Sequence, residues 1–148
     1  MIKQQYIRIA TFKPQEVLPF VVTDDTVLKL RQQHIKKSSE QWKKVVEKIY
    51  NGFSVKMNSQ RYQLFATKGL TCVKCGITGS FFALERINST RDNPLRFHFN
   101  LYAIDDNGEE VLITKDHIIP KSKGGKNTLN NYQVMCYNCN QEKGDGNE

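Results

Sequence analysis

Two Cys-x-x-Cys pairs, CVKC at Cys72 and Cys75 and CYNC at Cys136 and Cys139, constrain this chain more than any other feature. A two-residue gap lets both thiolates of a pair approach one ion while the N–H groups of the turn support the sulfurs. Two such pairs complete a tetrahedral all-sulfur set of the kind zinc favours. If the pairs share an ion, residues 76–135 must leave and return, as a β meander does. Four thiolates leave the metal no open position, so the expected ion is a structural staple and not a catalyst. Reduced buried thiols and a redox dithiol or disulfide are the competing readings. A reducing compartment favours the metal over disulfides. No run approaches the roughly 18–20 apolar residues of a membrane span, and MIKQQYIRIATF lacks the apolar block of a secretory signal, so a cytoplasmic protein is expected.

The formal charge of +7 is unevenly placed. Residues 1–68 carry 13 Lys and Arg against 5 Asp and Glu, whereas residues 69–148 carry 9 against 10. A basic half joined to a near-neutral half suggests an electrostatic arm for a polyanion, most often nucleic acid. An ordinary solvated helical surface would leave the same record. The pattern divides the chain into a basic, mainly helical segment (1–68) and a β-rich unit (69–148), an α+β organisation.

Within the first segment, YIRIATF (6–12) alternates weakly, as a strand does. A helix is expected from Thr23, with Asp24 and Asp25 in its first turn and Val27, Leu30 and His34 at helical spacing. A second is expected from Ser38 or Ser39 to Gly52, with Trp42, Val45, Val46 and Ile49 as its apolar stripe, and a third from Ser59 to Gly69. Trp42 and Tyr62 read as core residues. After Gly69 the pattern becomes that of strands: SFFALERI, then LRFHFNLYAI, a turn around Asn107 and Gly108, and EVLIT. Phe97, Phe99 and Leu101 share one face of their strand, with His98 and Asn100 on the other. His98 reads as a half-exposed strand residue and His34 as plain surface.

EVLIT leads into Asp116-His117, a loop with Lys121, Lys123 and Lys126, then Asn131, a short strand YQVMC, and Asn140 just inside a helix. Strand, loop, strand and helix make a ββα unit that can bring the end of its first strand against the helix. A carboxylate and an amide oxygen are hard ligands suited to Mg²⁺ or Mn²⁺. An imidazole beside them, uncharged near neutral pH, can deprotonate a water. The three loop lysines are placed to meet phosphates.

At these residues the chain resembles the HNH endonuclease family, whose fold is the ββα-metal motif, in the phage- and bacterial-like subtype braced by four cysteines. The resemblance covers roughly residues 70–146: Asp-His, then NNYQVMC, then Cys-x-x-Cys-Asn-x-x-Lys. It implies that His117 is the general base, that Asp116 and Asn140 bind the catalytic ion, and that Asn131 pins the loop that holds His117. Where the family name has its final histidine this chain has Asn140, which leans the metal preference towards Mg²⁺. Lys143 and Asp145 match the family's trailing pattern without an assigned role. The function expected is metal-dependent hydrolysis of DNA, double-stranded, by nicking or double-strand cleavage. Lys36, Lys37, Lys43 and Lys44 of the basic segment would grip the backbone. The alternative is a non-catalytic, zinc-stapled nucleic-acid or protein adaptor on the same scaffold.

Overall fold

A computed structural model describes residues 6–33, 36–88 and 96–144. His34 and Asp145, singled out above, lie outside them. In chain order the elements are β1 (Tyr6–Phe12), α1 (Pro14–Val17), α2 (Asp24–Gln32), α3 (Ser39–Val45), β2 (Glu47–Tyr50), β3 (Phe53–Lys56), α4 (Gln60–Lys68), β4 (Phe81–Ile87), β5 (His98–Ile104), β6 (Glu110–His117), β7 (Tyr132–Cys136) and α5 (Tyr137–Lys143). The described part is thus mixed α and β. None of its helices is long and apolar enough to cross a membrane.

One five-stranded sheet, ordered β1-β4-β5-β6-β7, runs antiparallel through every pair. Its edge strand β1 comes from the basic segment, so the two compositional halves share a sheet. The apolar face carries Phe82, Leu84, Phe99, Leu101, Ile113, Tyr132 and Val134, all at most 2% exposed. Tyr62, Leu64 and Phe65 of α4 join this core together with Tyr50, Val55 and Met57. Tyr62 accepts a hydrogen bond from the Phe99 backbone N–H at 2.7 Å, and burial raises its phenol.

The opposite face is covered in part by α5 and elsewhere by a polar cluster around Glu85, which is fully buried. Glu85 accepts from Asn100 Nδ2 at 2.8 Å, from the Tyr102 hydroxyl and from Arg8 Nε at 2.9 Å. Arg8 also forks onto Glu110. A carboxylate can stay out of water here because three donors, one of them a guanidinium, are aimed at it. Asn100 therefore faces away from the apolar core, as its alternation requires, yet is 1% exposed. His98 is half-buried and packs edge-on against Tyr6 at 6.4 Å.

The helix expected from Ser38 to Gly52 stops at Val45, and the rest forms the β2–β3 hairpin. Asn51 and Gly52 have φ of 52° and 86°, the doubly positive signature of a tight hairpin turn. Ile49 is 63% exposed while Tyr50 is 6% exposed, so burial alternates along the strand and the helical stripe is broken. The shortened helix corrects the reading of Trp42, which is half-buried outside the core, with the Arg31 guanidinium 4.8 Å over its ring. The other two helices begin where their caps place them. Thr23 caps α2 and Ser59 caps α4 through bonds to Thr26 N and Tyr62 N.

Candidate metal centres and active site

The four cysteine sulfurs lie within 4.8 Å of one another, with Cys75 and Cys136 at 3.8 Å. A tetrahedron with Zn–S bonds of ~2.3 Å has edges of about 3.8 Å, so the spacing fits one ion. A backbone link brings the pairs together across the long insertion. Val73 N–H donates to Val134 O at 2.9 Å, tying the first knuckle to β7. Within the first knuckle Gly76 N–H donates to Cys72 O at 3.0 Å, and in the second Cys139 N–H donates to Cys136 Sγ at 3.4 Å. Burial by itself would raise the Cys72 thiol, but hydrogen bonds from the backbones of Cys75, Cys136 and Lys74 bring it down to about 6. Burial pushes the Cys136 and Cys139 thiols up. Such a group of sulfurs can hold a metal ion with no position left for substrate.

At the end of β6 the side chains alternate across the sheet. Asp116 points to the α5 side, where its cross-strand partner Gln133 donates to Oδ2 at 2.9 Å. Lys143, near the end of α5, donates to the same Oδ2 at 2.7 Å and to the His117 carbonyl at 2.6 Å. This ion pair is well shielded, with side-chain exposures of 17% for Lys143 and 8% for Asp116. Asn140, one helical turn earlier, donates Nδ2 to Thr114 Oγ1 at 2.9 Å, and Thr114 in turn donates to Met135 O. Thr114 and Asp116 are two apart on β6 and so share a face. Both bonds to Asp116 from described residues fall on Oδ2, and the Asn140 bond uses its nitrogen. One oxygen of each side chain therefore has no described donor and can serve a hard cation.

His117 points the other way. Its ring stands edge-on to Tyr132, its cross-strand partner, at 5.0 Å, and Nε2 meets Asn127 Oδ1 at 2.8 Å. An amide oxygen can only accept, so with Asn127 oriented as in the structure the proton sits on Nε2. Nδ1 is then the basic nitrogen. The structure thus groups Asp116 with Asn140 on one side of the strand end and presents the His117 ring on the other.

The loop between β6 and β7 is fastened by Asn131. Its Oδ1 accepts from Ile119 N–H at 2.9 Å, its Nδ2 donates to Ile119 O at 3.0 Å and Lys126 O at 2.9 Å, and its carbonyl accepts from Ile118 N–H at 2.8 Å. Gly125 passes so close that a Cβ there would lie 1.7 Å from Ile119 O, which requires glycine. Lys121, Lys123 and Lys126 are all exposed on this loop. Far along the chain, Lys36 and Lys37 precede α3, and Lys43 and Lys44 occupy its last turn.

The sequence pattern that describes HNH endonucleases matches residues 105–147, which span β6, its loop, β7 and α5 together with the turn before them. That match supports membership of the HNH endonuclease family for this part of the chain. No curated protein matches the chain, and no solved structure matches it. The HNH unit implies a nuclease-type function in general and a nucleic acid as substrate, and proteins of this kind use divalent metals.

Several residues around the HNH site were not singled out from sequence. Asn127, Gln133 and Thr114 read as ordinary polar positions of a loop and two strands. Lys143 was visible as part of a motif, but its reach to Asp116 depends on how α5 packs on β6. Gln60 lies outside the HNH unit altogether. Its Nε2 donates to Asn127 O at 3.2 Å and its Oε1 accepts from the Tyr132 hydroxyl at 2.9 Å. It touches both groups that flank the His117 ring. The capping position after Ser59 announced a helix start, and nothing local announced what that start would meet.

Proposed function

We propose that the chain is a metal-dependent endonuclease that hydrolyses phosphodiester bonds in double-stranded DNA. In this reading residues 69–148 form a zinc-stapled nuclease unit, and the basic segment 1–68 grips the substrate. Cys72, Cys75, Cys136 and Cys139 would hold the structural zinc. Asp116 and Asn140 would hold one Mg²⁺ or Mn²⁺. That ion, when bound, supplies positive charge to the scissile phosphate and the departing oxygen.

The chain's own groups account for the rest. Nδ1 of His117 takes a proton from the attacking water, and the bond to Asn127 keeps Nε2 protonated so that only Nδ1 can do so. Asn131 fixes the loop on which Asn127 is carried. Lys143 holds Asp116 Oδ2 in place through the 2.7 Å pair, which leaves Oδ1 for the cation. Lys121, Lys123 and Lys126 meet phosphates on either side of the scissile bond.

The observation that carries this reading is the strand end itself. A histidine with one nitrogen held and no partner on the other among the described residues follows an aspartate whose second oxygen has no donor among them, within a matched HNH unit. Supercoiled plasmid incubated with the protein and Mg²⁺ should become nicked or linear, and EDTA should abolish the conversion. Binding without turnover in every divalent cation would instead identify a zinc-stapled adaptor.

A further inference from the structure

Ile118 and Ile119 directly follow His117, and they are 46% and 53% exposed. Single exposed aliphatics are common and mean little. Two adjacent ones, held outward by a fixed backbone beside a candidate active site, are a different observation. The N–H of each isoleucine and the carbonyl of Ile119 are all bonded to Asn131, and Gly125 closes against that same carbonyl. β-branched side chains add little freedom of their own, because χ1 is restricted. The apolar tip is therefore presented rigidly. Exposed lysines at 121, 123 and 126 lie on the same loop, so whatever meets the tip also meets positive charge.

An apolar tip flanked by cations matches duplex nucleic acid, whose phosphates border grooves floored by stacked bases. The minor groove, about 6 Å wide, is too narrow for a helix but takes aliphatic side chains, which part a base step and bend the helix. We propose that Ile118 and Ile119 form a wedge that enters the minor groove of duplex DNA next to the scissile phosphate, with the loop lysines on the bordering strands. The inference rests on the endonuclease reading and adds the form of its substrate. Flexible pyrimidine–purine steps should be favoured, because they part most easily.

The test uses the full-length, zinc-loaded protein with no Mg²⁺ or Mn²⁺ added and no chelator, so that binding is read without cleavage and the four-cysteine site stays intact, and a duplex carrying 2-aminopurine within TA steps. Wild-type binding should raise 2-aminopurine fluorescence. The Ile118→Ser/Ile119→Ser double variant should lose most of that rise and bind at least ~10-fold more weakly. Its salt dependence should stay as in wild type, because the lysines are intact. Ile119→Met should retain most of the signal. An unchanged melting temperature and zinc content confirm that the variants fold.

Unchanged fluorescence and affinity in the double variant would overturn the wedge while leaving the endonuclease reading intact, provided the wild type still cleaves plasmid. A wild type that binds no duplex overturns both. Light scattering that shows a dimer converted to a monomer by the double variant would also overturn the wedge, since the pair would then be a contact between copies.

Discussion

Single side chains at the strand end divide the work in ways that substitutions separate. His117→Ala should reduce plasmid cleavage by the ~10² to 10⁴ of a lost general base. Zinc content and melting temperature should hold, since the ring is half-buried at an edge and carries no part of the core. Wild-type turnover in that variant would remove His117 from the mechanism. Lys143→Met tests the metal side differently. It strips the ammonium from Asp116, a carboxylate only 8% exposed, and breaking so shielded a pair costs about 3–5 kcal/mol. If Asp116 also serves a divalent cation, added Mn²⁺ should recover part of that loss by restoring positive charge beside the carboxylate. A melting curve that falls in the variant and does not respond to Mn²⁺ would count against Asp116 as a ligand.

Elements couple the nuclease unit to the rest of the chain, and α4 is the clearest case. Its first residue, Gln60, bonds the Asn127 carbonyl and the Tyr132 hydroxyl, while Lys68 at its end donates to Tyr132 O. Gln60→Ala should lower kcat several-fold with little change in KM, because the substrate would still dock while the His117 ring loses its brace. An unaltered kcat would show that Asn127 and Tyr132 hold the ring unaided. This coupling spans 67 residues from Gln60 to Asn127 and has no local signature. Elements with local signatures were legible: the turn at Asn107 and Gly108, strand β7 between two polar flanks, and the caps of α2 and α4. The β2–β3 hairpin was not, although Asn51-Gly52 is a strong turn signal. Val45, Val46 and Ile49 suit a helical stripe and are also β-branched, and only packing of Tyr50 and Val55 into the core decides between the two. At the site, sequence order could place Asp116 beside His117, but not turn their side chains to opposite faces or fix the imidazole proton.

At the scale of the whole molecule, two features remain to be tested: the four-cysteine cluster where β7 meets α5 and the basic surface of the N-terminal segment. Cys72→Ser should lower melting temperature and metal content together, because folding and coordination of the ion are linked. Protein that contains no zinc and melts identically in chelator would remove the staple. The basic surface is the separate question. Helix α3 buries no side chain, so Lys36, Lys37, Lys43 and Lys44 can be changed without touching the core. If they grip DNA, their contribution is counterion release, and the logarithm of affinity falls linearly with the logarithm of salt by about 0.9 per phosphate neutralised. Replacing all four with Gln should flatten that slope and weaken unrelated duplexes alike. Cleavage should drop through binding, so low salt or more protein should restore it, in contrast to His117→Ala. An unchanged slope in the four-lysine variant would instead assign the phosphate contacts to Lys121, Lys123 and Lys126, and leave α3 as a surface for something other than DNA.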